Sequence, residues 1–133
     1  YTHLDYSTSM KTKARITPQT TAVLQAARKM GHASNHQILV ELRSQFPFLT
    51  ATTVHRITNR LIATGLLANG PEVNGVQLVD ANTLEHDHFM CSGCDGIKDV
   101  YLTDKLRSDI KKELKIKKLP SRLTIYGGCE TCY

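Results

Sequence analysis

The sequence contains no apolar run approaching the roughly 18 to 20 residues that would cross a bilayer, and no charged-then-apolar leader opens it. Both absences argue against a membrane or secreted protein, and the expectation is a soluble, cytoplasmic chain with no membrane partner. No internal repeat and no low-complexity tract is found, which leaves ordinary globular packing. Neither sign of charge dominates: 17 Lys and Arg against 12 Asp and Glu give +5, a surplus that suits a polyanionic partner without demanding one. With 133 residues, the chain can form one compact domain or two small ones. The core is then modest, and a metal or a partner chain is expected to supply extra stability.

What is present begins with four cysteines, Cys91, Cys94, Cys129 and Cys132, set as two C-x-x-C pairs near the ends of the last third of the chain. Thiolates two residues apart on a tight turn can face one tetrahedral Zn2+, and two such knuckles fill its shell with no open position. The alternatives are two disulfides or a redox-active pair, and a chain without a secretion signal is a poor host for structural disulfides. The knuckles lie further apart than in an ordinary zinc ribbon, so a zinc here would clamp both ends of a small α/β unit.

The N-terminal half reads as three short helices and a hairpin. Thr17-Pro18 is an N-cap followed by proline at the first helical position, and Ala22, Val23, Ala26, Ala27 and Met30 recur at helical spacing until Gly31. Ser34 to Gln37 is a capping box opening a helix through Ile38, Leu39, Leu42 and Phe46, ended by Pro47. A third helix opens at Thr50 or Thr52, with an apolar stripe of Val54, Ile57, Leu61 and Ile62 that leaves Thr53, Arg56, Asn59 and Arg60 on other faces. Two short apolar segments follow, separated by the turn signals Asn69-Gly70-Pro71 and Asn74-Gly75. This pattern predicts a winged helix-turn-helix ending near residue 80. Beyond it, His86 to Met90 is strand-like, Thr103-Asp104 caps a helix with Leu106, Ile110 and Leu114 on one face, and a strand holds Leu123 and Ile125.

Ligand-type side chains concentrate again at Glu85-His86-Asp87-His88. On a strand, His86 and His88 share one face while Glu85 and Asp87 share the other. An isolated H-x-H is ordinarily a polar strand edge, and spacing alone does not bring Asp80, Asp99 or His32 to it. A catalytic zinc is one reading of such residues, but neither the H-x-E and P-C-x-x-C signature of the deaminases nor an H-E-x-x-H helix is present, and the expectation is that the protein is not an enzyme. A zinc-stabilised RNA-binding or protein-interaction module is the other alternative.

Taken together, Arg15-x-Thr17-x-Gln19, Thr53-Val54-His55-Arg56, Gly65-Leu66-Leu67, His86-x-His88-x-x-Cys91-x-x-Cys94 and Tyr126-Gly127-x-Cys129-x-x-Cys132 resemble the ferric uptake regulator (Fur) family, in order and across nearly the whole chain. The resemblance implies an α+β fold. A winged-helix DNA-binding domain over residues 1–81 would precede an α/β dimerisation and metal-binding domain over residues 82–133. It further implies a homodimer that represses genes by binding operator DNA, A/T-rich and pseudo-palindromic, when a regulatory metal is bound.

Position by position, the resemblance assigns the structural zinc to the four cysteines and the regulatory metal to His32, Asp80, His86, His88 and Asp99. Ligands without thiolate suit Fe2+ or Mn2+, with Zn2+ or Ni2+ as the alternatives. Asp80, where iron sensors of the family often carry glutamate, is similar to the peroxide-sensing subgroup, which implies oxidation of His32 or His86. DNA contacts fall on Arg15, in a minor groove, and on Thr53, His55, Arg56 and Arg60. Three positions depart from the family pattern: His55 stands where tyrosine is common and Thr20 where arginine is common. Ser121 stands where a histidine usually serves a further metal site, so that site is expected to be absent or altered despite Glu85 and Asp87.

Overall fold

The computed structural model describes residues 16–132 and divides the chain into two compact units, one ending at Thr83 and one beginning at Leu84. Among the described residues no helix is long and apolar enough to cross a membrane.

The first unit runs α1 (Pro18–Met30), β1 (His32–Ser34), α2 (Asn35–Leu42), α3 (Ala51–Ala63), β2 (Ala68–Val73) and β3 (Val76–Asp80). Each helix begins where a side-chain oxygen captures an amide that the helix cannot satisfy itself: Thr17, Ser34 and Thr50 accept from Thr20, Gln37 and Thr53. Ser34 belongs to a reciprocal box, since its own N–H donates to Gln37 Oε1 at 2.8 Å while Gln37 N–H returns to Ser34 Oγ at 3.0 Å. The three helices bury Val23, Ala27, Ile38, Val54, Leu61 and Leu67 in one core, and the α3 stripe faces inward as its spacing predicts. Replacing Ser34 with alanine is expected to lower unfolding stability by about 1 kcal/mol. An unchanged denaturation midpoint in that variant would show the cap to be idle.

Two sequence expectations change here. The second helix stops at Leu42 rather than running to Phe46, because turns take over before Pro47. Asn69-Gly70-Pro71 is not a turn but part of β2, where the register against β3 shifts between Asn69 and Glu72; a proline without an amide donor is tolerated at such an irregularity. The reversal is made by Asn74 and Gly75, both at positive φ (51° and 82°), as a tight hairpin requires. Strand β1 was not foreseen. It adds to the edge of the hairpin in the order β1-β3-β2, all antiparallel, and sets His32 opposite Asp80.

The second unit contains β4 (Asp87–Cys91), β5 (Ile97–Val100), α4 (Asp104–Leu114) and β6 (Thr124–Gly127). Its sheet order is β5-β4-β6, with β5 antiparallel and β6 parallel to β4. Strand β4 is central, and β5 is a second element the sequence reading did not separate. Of the apolar side chains described in this unit only Met90 and Cys91 are buried, while Leu84, Tyr101, Leu106, Leu114, Ile125 and Tyr126 are exposed. Helix α4 buries no residue at all. Such a unit cannot rely on apolar burial within itself, which is the shortfall that the chain length foretold. The observed architecture is α+β, as expected.

Candidate functional site

Strand β4 carries candidate ligands on both faces and at its end. At the end, Cys91 and Cys94 lie on a turn closed by Asp95, whose N–H donates to Cys91 O at 2.8 Å and whose φ is positive at 58°. Parallel pairing of β4 with β6 puts Cys91 beside Gly127, so the chain leaving β6 delivers Cys129 and Cys132 to the same place. Gly127 packs closely there: a Cβ would lie 3.2 Å from the Phe89 ring, which would have to give by a few tenths of an ångström. The four thiol sulfurs lie within 4.8 Å of one another, and none is in a disulfide. Sulfurs about 2.3 Å from a tetrahedral zinc are roughly 3.8 Å apart, a spacing compatible with a cluster of this size.

The electrostatics agree with that fit. The backbone N–H of Cys129 at 3.4 Å and of Gly93 at 3.3 Å donate to Cys91 Sγ. Such bonds, with that of Cys129 foremost and Cys94 next, hold the Cys91 thiol down to about 6. Hydrogen bonding among the clustered sulfurs, first to Cys129, pushes Cys132 up to about 12. The cluster therefore retains a proton that a metal must displace. Four thiolates leave no position for substrate or water, so the donor set suits a structural ion.

On one face of β4, His88 Nε2 lies 3.0 Å from His86 Nε2, and the two stand 3.6 and 3.4 Å from Asp99 Oδ1. Antiparallel pairing accounts for it, because His88 and Asp99 are register partners. His86 Nδ1 lies 2.6 Å from the carbonyl of Leu84, to which it donates, so Nε2 keeps the lone pair a metal needs. Ligands about 2.1 Å from one ion lie roughly 3.0 to 3.4 Å apart, from octahedral to tetrahedral. The triangle fits a divalent ion without deciding its geometry. In the first unit, His32 Nε2 stands 3.5 Å from Asp80 Oδ2, while Asp80 Oδ1 accepts the N–H of Asn82 at 2.9 Å. Asp80 is 1% exposed, and a carboxylate so buried needs a cationic or hydrogen-bonding environment.

The opposite face of β4 holds a residue the sequence reading did not single out. Arg107, on α4, places one guanidinium nitrogen 3.0 Å from both Asp87 oxygens and donates with another to the carbonyl of Pro120. Asp87 Oδ1 also accepts Leu123 N–H at 2.8 Å. Ser121 and Glu85 are exposed. A guanidinium seated on Asp87 already neutralises the carboxylate that a further metal there would need.

A third candidate surface is α3. His55, Arg56, Asn59 and Arg60 are exposed on it, whereas Thr53 is half-buried with its hydroxyl 3.1 Å from the cap residue Thr50. Arg15 lies outside the described residues. Thr20 is buried, with its hydroxyl 3.0 Å from Thr17 Oγ1, and so belongs to the α1 cap rather than to an outer surface.

Comparison with known proteins follows the same lines. The sequence model of the Ferric uptake regulator family matches residues 11–126. Ferric uptake regulation protein 1 of Mycolicibacterium fortuitum is 29% identical over 99 residues, which cover 73% of this chain and 62% of that protein; the match thus spans less than two thirds of its relative. The ferric uptake regulator of Francisella tularensis, solved with iron, superposes with a TM-score of 0.71 at 22% identity over 90% of this chain and 95% of the other. The Campylobacter jejuni peroxide stress regulator gives 0.65 at 23% identity over 99% and 100%. These two likenesses establish the shared fold, and the match over residues 11–126 establishes the kinship: the chain belongs to the ferric uptake regulator family.

Proposed function

We propose that this protein is a metal-responsive transcriptional repressor that binds operator DNA as a homodimer when its regulatory metal is bound. A structural Zn2+ would sit on Cys91, Cys94, Cys129 and Cys132. The regulatory ion, Fe2+ or Mn2+, would be held by His32, Asp80, His86, His88 and Asp99. The observation that carries this reading is the separation of donor types: His86, His88 and Asp99 converge without a thiol, while all four cysteines form a set of their own. Imidazole and carboxylate suit Fe2+ and Mn2+, and thiolate suits zinc. Zn2+ or Ni2+ at the mixed set is the alternative.

His32 and Asp80 belong to the unit that carries α3, and the other three ligands belong to the second unit. One ion gathering all five would restrain the two units and link metal affinity reciprocally to DNA affinity. The exposed apolar residues Leu106, Leu114, Ile125 and Tyr126 would offer a surface to a second copy, and a dimer would read a pseudo-palindrome. Arg56, Arg60, His55 and Thr53 would face the major groove. Arg15 would enter an A/T-rich minor groove, whose narrow width attracts a cation.

The test is retention of duplex DNA from a random pool by the zinc-loaded dimer, with and without Fe2+, Mn2+, Zn2+ or Ni2+ added. A gain of about 5- to 150-fold with the regulatory ion is expected. That gain should vanish in a His86→Ala, His88→Ala protein that keeps its cysteine-bound zinc. Equal affinity with and without added metal rejects the reading. Resemblance to the peroxide-sensing subgroup extends the proposal: in the Fe2+ form, peroxide would add one oxygen atom to His32 or His86, its other oxygen leaving as water. Peptide masses unchanged after peroxide treatment, with DNA binding intact, reject that extension.

A further inference from the structure

A chain of hydrogen bonds leads from the core of the first unit to the outer face of α3. Thr58, 1% exposed, sets its hydroxyl 2.9 Å from Asn35 Oδ1 and 3.2 Å from the carbonyl of His55. Asn35, the first residue of α2, places its amide nitrogen 3.1 Å from His55 Nδ1. His55 Nε2 then lies 3.2 Å from the side-chain amide of Asn59, one helical turn further along α3. Asn59 is exposed at the end of this chain. It was not among the DNA-contact residues read from the sequence.

Proton counting settles what Asn59 offers outward. A neutral imidazole has one N–H and one lone pair, so one ring nitrogen donates and the other accepts. If Nδ1 accepts from Asn35, the Nε2 proton goes to the Asn59 oxygen. If Nδ1 instead donates, Asn35 turns its amide over and Asn59 donates to Nε2. An amide exchanges oxygen for nitrogen without needing room, so both arrangements fit the same space. In either one Asn59 keeps an N–H donor and an oxygen lone pair for a partner outside the protein.

A side chain offering one donor and one acceptor in fixed relation is complementary to a single base edge in the major groove. Adenine presents an acceptor at N7 beside a donor at N6, whereas guanine presents two acceptors. We propose that Asn59 reads an adenine in the operator and that His55 is a positioning residue which holds the Asn59 amide through the Asn35–Thr58 relay. The inference rests on the DNA-binding reading of α3 and adds its specificity. A tyrosine at position 55 could not bridge Asn35 and Asn59 with two ring nitrogens, which gives the departure at this position a physical role.

The test uses the full-length protein loaded with zinc and Mn2+. Duplexes are selected from a random pool, and each adenine of the selected site is then replaced singly by 7-deazaadenine, which lacks N7. One adenine per half-site is expected whose replacement weakens binding about 5- to 150-fold. Asn59→Ala should lower affinity for the natural site and abolish the difference between adenine and its analogue. His55→Ala should shrink that difference, because the Asn59 amide loses the ring that holds it. His55→Gln, which can both donate and accept, should recover part of it. Binding by the natural protein that is indifferent to 7-deazaadenine everywhere, or full sensitivity in Asn59→Ala, overturns the inference while leaving the regulator reading intact. Failure to retain any DNA under every metal overturns both.

Discussion

Replacing Cys129 with serine is expected to abolish binding of the proposed structural zinc and to unfold the unit from Leu84 onward. Apparent binding free energies of four-ligand structural zinc are about 10–16 kcal/mol near neutral pH, against the roughly 5–15 kcal/mol by which a whole domain is ordinarily stable. In this unit the proposed ion would have few competitors for the role. Met90 and Cys91 are its buried apolar residues among those described, and α4 buries none. Removing one thiolate leaves two knuckles at opposite ends of the segment with nothing comparable to hold them. Zinc content, hydrogen exchange of β4 and β6, and sedimentation would be measured together. A Cys129→Ser protein that stays folded, dimeric and zinc-replete would show that the four thiols are not the clamp. The sign of the pH dependence follows from the ligands. Zinc binds thiolates and must displace the proton held by Cys132, whose thiol is pushed up to about 12 chiefly by its hydrogen bond to Cys129, so zinc retention should weaken as pH falls.

Substituting Arg107 with methionine is expected to cost about 3–5 kcal/mol, the usual penalty for stripping a partner from a buried ion pair. The Asp87 side chain is 4% exposed and that of Arg107 21%, so solvent offers the carboxylate little compensation. Asp87 would retain the Leu123 amide, which satisfies one lone pair but neutralises no charge. The pair also fastens α4 to β4, since that helix buries no apolar side chain of its own. Denaturant unfolding of the zinc-loaded protein reads the loss. An Asp87→Asn, Arg107→Met protein should regain part of it because the buried charge is gone. A loss below about 1 kcal/mol in Arg107→Met would mean that water or another cation replaces the guanidinium with ease, contrary to this account.

Whatever depends on neighbours a few residues apart is legible along the chain. Caps at Thr17, Ser34 and Thr103, the inward stripe of Val54, Ile57 and Leu61, and the C-x-x-C spacing of each knuckle act through the chain's own local geometry, whereas of Thr50 and Thr52 the folded chain uses Thr50. That was enough for the α+β class, while the family rested on the resemblance of the motifs taken together and on the match over residues 11–126. What depends on pairing at a distance is set by the packing of the folded chain. Strands β1 and β5, of three and four residues, have no periodicity to announce them and exist because β3 and β4 supply their hydrogen bonds. The same pairing carried Asn69-Gly70-Pro71 into β2 against its turn-forming chemistry, with an irregularity to accommodate the proline. Registers His32 to Asp80 and His88 to Asp99 turned scattered ligand types into converging ones. Arg107 on Asp87 and Asn35 on His55 join residues 20 positions apart, and such contacts leave no trace in sequence spacing. A side chain's local preference is fixed by its own backbone, whereas its partner is fixed by how other segments pack, and only the folded chain holds that information.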